Sequence, residues 1–208
     1  MTIRRGQAYI ISAPSGAGKT SLVAALVMVD PCLRVSVSLT TRRPRDSEMH
    51  GTHYHFVSRQ AFEEEIRAGT MLEHADVFGN FYGTSRRVVE ERLAAGNDVI
   101  LEIDWQGAQQ ARTQLSTSTS IMVLPPSLAA LESRLRSRGQ DDDATITRRL
   151  GQAHTEMSHF GEFEYVVVND DFDLAVRQLQ DIISAERSKC DTVRIQYSKL
   201  LDELLTSS

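Results

Sequence analysis

The apolar run Ala8-Tyr9-Ile10-Ile11-Ser12 passes directly into Ala13-Pro14-Ser15-Gly16-Ala17-Gly18-Lys19-Thr20-Ser21 and then into the amphipathic stretch Leu22-Val23-Ala24-Ala25-Leu26-Val27. A buried strand, a glycine-bearing turn and a helix in that order constrain the chain more than any other feature, because they form the opening unit of an α/β core. Gly16 and Gly18 allow backbone conformations that aim successive N–H groups into one concavity, and the helix start adds positive potential where phosphate oxygens would sit. Lys19 then reaches the β/γ-phosphates and Thr20 ligates Mg²⁺. The generic pattern G-x-x-x-x-G-K-[ST] begins with glycine, whereas this chain has Ala13 there.

A chain of 208 residues suits one domain, or a core with a smaller inserted subdomain. A net charge of −5 excludes a general nucleic-acid binder, so any anion must be gripped locally. Cys32 and Cys190 lie far apart with no C-x-x-C spacing, which fits a reducing compartment and carries no zinc signature. With no signal peptide and no apolar run near membrane-spanning length, the expected location is the cytoplasm, without membrane contact.

Strand and helix patterns alternate along the chain, the signature of βαβ units. Strands are expected over residues 8–12, 35–39, 98–103, 120–124 and 165–168. Helices are expected from the loop to about residue 29, over 86–95, 106–115 and 127–136, on the segment carrying Arg148 and Arg149, and from about 173 to 205. Residues 40–87 break the alternation with an Arg/Pro-rich loop, a strand over 52–57, a helix over 61–68 and the aromatic turn Phe78-Gly79-Asn80-Phe81-Tyr82-Gly83, and are read as an inserted subdomain.

Parallel strands with right-handed crossovers bring their C-terminal ends to one edge, where α/β proteins bind ligands. At that edge Val99-Ile100-Leu101-Glu102-Ile103-Asp104 ends in acidic groups, and Asp104 is the candidate to hold metal-bound water beside the phosphate loop; an N-cap role for Asp104 is compatible with it. The run Thr40-Thr41-Arg42-Arg43-Pro44-Arg45 offers guanidinium forks that match phosphate oxygens, with a solvated basic loop as the alternative. Arginine is the usual cation here, for the chain has three lysines, and the one in the glycine loop marks a place for a compact point charge. His50, His53, His55 and His74 lack metal-ligand spacing and read as packing residues, as do Trp105 and Met49.

These residues together resemble the guanylate kinase family over nearly the whole chain. The resemblance is carried by Ser15-Gly16-Ala17-Gly18-Lys19, the arginine run, Glu48-Met49-His50-Gly51-Thr52-His53-Tyr54-His55-Phe56, Phe81-Tyr82-Gly83-Thr84, Glu102-Ile103-Asp104-Trp105-Gln106-Gly107, Pro125-Pro126-Ser127, Arg134-Leu135-Arg136-Ser137-Arg138-Gly139 and Val168-Asn169-Asp170-Asp171. It implies a P-loop NTPase-type three-layer α/β core (residues 1–39 and 88–208) with a mostly parallel sheet. An inserted α+β subdomain (40–87) would bind GMP, and an arginine-bearing lid would span about 126–158.

The implied reaction is in-line transfer of the ATP γ-phosphoryl to GMP, and to dGMP, giving ADP and GDP, with Mg²⁺ carried as MgATP. The partners implied are these small molecules and no nucleic acid, and a homo-oligomer is left open. By the same resemblance Ala13, Pro14, Ser15, Gly16, Ala17, Gly18, Lys19, Thr20 and Ser21 cradle ATP, and Arg134, Arg138 and Arg149 close over it, with Asn169 near the adenine. Arg42, Arg45, Tyr54 and Tyr82 hold the GMP phosphate, with Glu48 beside the arginines. Glu73 reads guanine, helped by Ser38 and Thr84, while Asp104 lies near both GMP and metal. Lys19, Arg42, Arg134 and Arg149 are the implied catalytic groups. Two other readings stay open: a P-loop kinase of another phosphorylated acceptor, in which Ser38, Glu73 and Thr84 would have no task, and a guanylate kinase-like binding module, which would not need an intact Gly18-Lys19-Thr20.

Overall fold

The computed structural model describes residues 5–77, 79–115, 117–137 and 142–206. Its main sheet has five strands in the order β2 (Leu33–Val35), β7 (Asp98–Glu102), β1 (Ala8–Ser12), β8 (Ser118–Leu124), β9 (Tyr165–Val168), and every pairing is parallel. β1 is buried along its whole length, as its unbroken apolar run requires of a strand covered on both faces. On one face α1 (Lys19–Val29) and α7 (Phe172–Arg187) pack Leu22, Leu26, Leu179 and Ile183 against Tyr9, Ile11 and Val123. On the other, α3 (Arg86–Ala94) and α4 (Trp105–Gln114) pack Val89, Leu93, Ala108 and Ala111 against Ile10, Leu101 and Met122. The result is the expected three-layer α/β core.

A second sheet has the order β4 (His55–Phe56), β3 (Leu39–Thr40), β6 (Asn80–Ser85), β5 (Met71–Val77), with α2 (Arg59–Arg67) between β4 and β5. β5 and β6 form an antiparallel hairpin, and β3 runs antiparallel to β6 and parallel to β4. The strand expected over 35–39 is two strands in different sheets. β2 ends at Val35, the Ser36 N–H donates to Ile100 O at 2.9 Å, and the chain then leaves the core to pair Leu39 with Gly83. The strand expected over 52–57 contracts to His55–Phe56, because residues 49–54 close a turn through Gly51, whose φ is +78°. The expected aromatic turn over 78–83 is largely strand β6, with the bend at Gly79, φ +76°; Phe78 lies outside the described residues.

Past β8, α5 (Leu128–Ser137) and α6 (Asp143–Ser158) pair through Leu131, Leu135, Leu150 and Ala153. Ser127 Oγ accepts the Ala130 N–H at 3.0 Å to open α5, and the Asp142 carboxylate caps α6 at Thr145 N. The helical tail expected from 173 to 205 is α7, α8 (Cys190–Gln196) and α9 (Ser198–Thr206). No described helix is long and apolar enough to cross a membrane.

Candidate active site

The C-terminal ends of β1 and β7 and one face of the second sheet enclose a cleft of about 310 Å³. Its walls bring together Ala13, Pro14, Ser15, Gly16, Gly18, Lys19 and Thr20 from the turn, Ser38, Tyr54, Glu73 and Tyr82 from the second-sheet region, and Glu102, Asp104 and Glu156. Residues marked by motif chemistry, in the turn from Ala13 to Thr20 and at Asp104, and residues marked by the family resemblance, Ser38, Tyr54, Glu73 and Tyr82, therefore share one cavity.

The turn after β1 is held from behind. Gly16 and Gly18 have φ of +94° and +96°, values that a side chain would strain. A methyl on Gly18 would also collide with Asn169 Nδ2, and one on Gly16 would press on Leu131 and Leu135 of α5. Asn169, 4% exposed, donates Nδ2–H to Ala17 O at 2.7 Å, while Arg134 donates to Asn169 O at 3.0 Å and to Ala17 O at 3.5 Å. Asn169 and Arg134 thus hold the turn through the Ala17 carbonyl, while the Ala17 N–H closes the turn on Pro14 O at 3.0 Å. Ala13, where the generic loop has glycine, is 8% exposed and its methyl joins the core cluster under α1. The Lys19 ammonium donates to Ile103 O at 3.1 Å and the Thr20 hydroxyl to Glu102 Oε2 at 3.1 Å, so both reach across to the end of β7. Ser21 is exposed at the start of α1 and does not line the cleft.

Asp104 caps α4, accepting the Gly107 N–H at 2.8 Å, and it also lines the cleft. The Thr20 hydroxyl with Glu102 and Asp104 makes a hard-oxygen donor set, which suits Mg²⁺.

Opposite, Arg42 is fixed on three sides. It donates to Glu48 Oε1 at 2.8 Å, to Tyr82 Oη at 3.2 Å and to Arg43 O at 2.7 Å, and its guanidinium lies 5.6 Å from the Tyr54 ring centroid. Glu48 Oε2 also accepts the Arg45 N–H at 2.9 Å, and the Arg42 guanidinium holds the Glu48 carboxyl below its usual range. Glu48 is therefore an arginine-orienting group. The Arg45 side chain is exposed on the same loop, and burial raises the Tyr54 phenol.

Glu73 is 4% exposed, and burial pushes its carboxyl up to about 7, against the opposing effect of the Thr84 hydroxyl and N–H. Thr84 is fully buried and shares a 3.2 Å hydrogen bond with Ser38.

Two acidic cleft residues were missed from sequence. Glu102 was passed over in favour of Asp104, although it lies next to the strand end. Glu156 lies on α6 seven residues after Arg149, hence on the same helix face, a spacing that could have shown it. Burial pushes its carboxyl up to about 7, with Lys19 and the Ser15 N–H opposing. On α6 Arg149 is half-buried and Arg148 exposed, and neither lines the cleft; Arg138 lies outside the described residues. Of the remaining residues, His50 and His53 accept the N–H groups of Phe56 and Met49, and Trp105 stacks on His159 at 3.5 Å between centroids, while Met49 is exposed.

The sequence model of the family described as guanylate kinase matches residues 5–186. A guanylate kinase of Vibrio cholerae is 53% identical over 203 residues, covering 97% of this chain and 98% of that protein. One from Escherichia coli K12 is 51% identical with the same coverage. The crystal structure of guanylate kinase from Anaplasma phagocytophilum matches with a TM-score of 0.79 at 30% identity, covering all of both chains.

Proposed function

The chain belongs to the guanylate kinase family, and from that premise we propose how its cleft performs the ATP-dependent phosphorylation of GMP to GDP that the family carries out. The observation that carries the reading is the shared cavity: the phosphate loop and the buried carboxylate of Glu73 face the same 310 Å³ of space.

The residues from Ala13 to Thr20 form the ATP phosphate cradle, its N–H groups supplying fixed dipoles, while Ser21 stands outside the cleft. Lys19 exchanges its carbonyl partner Ile103 for phosphate oxygens and stabilises charge as the γ-phosphoryl moves in line between the nucleotides. Asn169 and Arg134 keep the cradle rigid through Ala17, which is a sturdier role for Asn169 than a contact at the adenine. Thr20, Glu102 and Asp104 would hold Mg²⁺, which when bound supplies charge neutralisation between the phosphates.

On the acceptor side Arg42, oriented by Glu48 and Tyr82, grips the GMP phosphate with Arg45 and Tyr54. Glu73 accepts the N1–H and N2–H of guanine, and the Ser38–Thr84 hydroxyl pair borders the base. Adenine has no donor pair on that edge and would leave a buried carboxylate unsatisfied. dGMP presents the same base and phosphate and is a second substrate. The GMP phosphate is already largely ionised at neutral pH, so the residues work by alignment and electrostatics without a general base. Residues 40–87 act as the GMP-binding subdomain, and the helices over about 126–158 act as a lid that brings Arg149 to the phosphates and excludes water.

ADP formation measured with GMP, dGMP, AMP and UMP tests this directly. GMP and dGMP are expected to be turned over at least about a hundredfold better in kcat/KM than AMP. Preference for AMP or UMP overturns the assignment of Glu73, and equal ATP turnover with and without GMP overturns obligatory closure.

A further inference from the structure

Sequence patterning alone gives no reason for a core helix to touch the base-reading strand, yet α4 is fastened to β5. Gln110, on α4, accepts the His74 N–H through Oε1 at 3.0 Å and donates Nε2–H to His74 O at 2.8 Å. A side-chain amide has here taken both backbone groups of a single strand residue, as a neighbouring strand would. That residue is the immediate neighbour of Glu73.

One turn earlier on the same helix face is Gly107, buried against the Glu73 carboxylate. A Cβ at position 107 would stand 2.6 Å from Glu73 Oε2 and 3.3 Å from Ile103 Cβ, so glycine leaves room for the carboxylate alone. On the strand side, the pairing of β5 with β6 slips between Met71 and Glu73, with Met71 opposite Ser85 and Glu73 opposite Thr84. The extra residue at this bulge, Leu72, is fully buried in the core cluster with Ile10, Leu101 and Ala108. Glu73 is thus bounded by a bulge rooted in the core, a double hydrogen bond at its next residue and a helix position with no side chain.

We propose that Gln110 and Gly107 are specificity-positioning residues: α4 clamps β5 through Gln110, and the Gly107 gap sets the depth at which the Glu73 carboxylate meets the base. They touch no substrate and act through Glu73, so the inference rests on the base-reading role assigned to that carboxylate. A carboxylate that accepts two N–H groups at once tolerates little displacement, since hydrogen bonds weaken steeply away from linear geometry. The Gln110 side chain carries no charge and does not line the cleft, so its loss acts on the nucleotide acceptor and not on ATP.

The test is steady-state kinetics with GMP and with IMP, which keeps N1–H but lacks the 2-amino group, for three variants beside the parent enzyme. Gln110→Leu keeps the bulk of the side chain and removes both hydrogen bonds. Its KM for GMP is expected to rise about tenfold, with KM for ATP and kcat within about twofold of the parent, and the GMP:IMP ratio of kcat/KM to shrink. Gly107→Ala places its methyl against the carboxylate and is expected to raise the KM for GMP at least as much. Because alanine favours the helix, it provides the test even where Gln110→Leu fails to fold.

Glu73→Gln separates the two claims. If it collapses the GMP:IMP ratio while Gln110→Leu and Gly107→Ala leave both that ratio and the GMP KM at parental values, the clamp is overturned and the base reader stands. If Glu73→Gln itself leaves the ratio intact, the base-reading assignment falls and the clamp falls with it. A Gln110→Leu enzyme that loses kcat and affinity for ATP as well as for GMP shows a merely structural role and overturns the proposal.

Discussion

The phosphate loop and the base-reading wall face each other across one cleft and are built in opposite ways. The loop is local: six consecutive residues, Ala13 to Gly18, two of them glycines at φ of +94° and +96°, sit between a buried strand and its helix. The wall is non-local. Glu73 depends on Gly107, Gln110, Thr84 and Ser38, which come from three other segments and meet only after two sheets and α4 have docked. The loop needs few distant supports, Asn169 and Arg134 behind Ala17, whereas an assembled wall inherits every error in the docking of its parts.

The most severe way to break this comparison lies in the loop. Lys19→Met removes the point charge from the cradle, and kcat is expected to fall by about 10²- to 10³-fold with the far-ultraviolet circular dichroism unchanged. Normal turnover by a folded Lys19→Met enzyme would refute its role.

On the wall, Glu73→Gln is expected to cut kcat/KM for GMP about a hundredfold while leaving the KM for ATP nearly unchanged, measured by titrating each nucleotide at saturating partner. Equal losses for both nucleotides would erase the division of labour between the two regions.

Proton binding sharpens the contrast further. Burial raises the Glu73 carboxyl to about 7, and only its ionised form accepts two N–H groups from guanine. The KM for GMP is therefore expected to drop about tenfold as pH rises from 6 to 8, beyond the change shown by Glu73→Gln, which lacks the titrating group. The sign for folding is opposite. A carboxyl raised in the folded state binds its proton more tightly there than in the unfolded chain. Ligand-free stability from Glu73 and Glu156 is thus present below about pH 4.5 and lost as pH climbs towards 7. Thermal unfolding of ligand-free Glu73→Gln against parent, from pH 5 to 8, reports it.

The mildest expected effect is Asn169→Ala. It removes one of two donors to Ala17 O, a loss of about 1 kcal/mol, and raises the KM for ATP about fivefold with the KM for GMP unchanged.

The two regions also differ in how much of them the sequence disclosed. β1, α1 and β9 lie where periodicity and turn chemistry put them, since each is decided by its own residues. The break at residues 36–38 was hidden because Val35-Ser36-Val37-Ser38-Leu39 alternates as one strand would, and nothing local reveals that its ends join different sheets. Resemblance to a family marked Glu73, whereas its clamp at Gln110 and Gly107 escaped notice because a contact between residues 73 and 107 leaves no trace in spacing. Glu156 escaped for a different reason. A carboxylate on a charged helix ordinarily faces solvent, and the groups that meet Glu156, Lys19 and the Ser15 N–H, come from a segment far away in sequence.

Leu72 ties the smaller sheet to the interior of the larger one, sharing a cluster with Ile10, Leu101 and Met122. Pulling the hairpin off would tear an apolar plug out of the molecule's centre, so this sheet has no melting transition of its own. Heat or denaturant should dismantle both sheets in one cooperative step, and a protease should find no stable fragment lacking the hairpin.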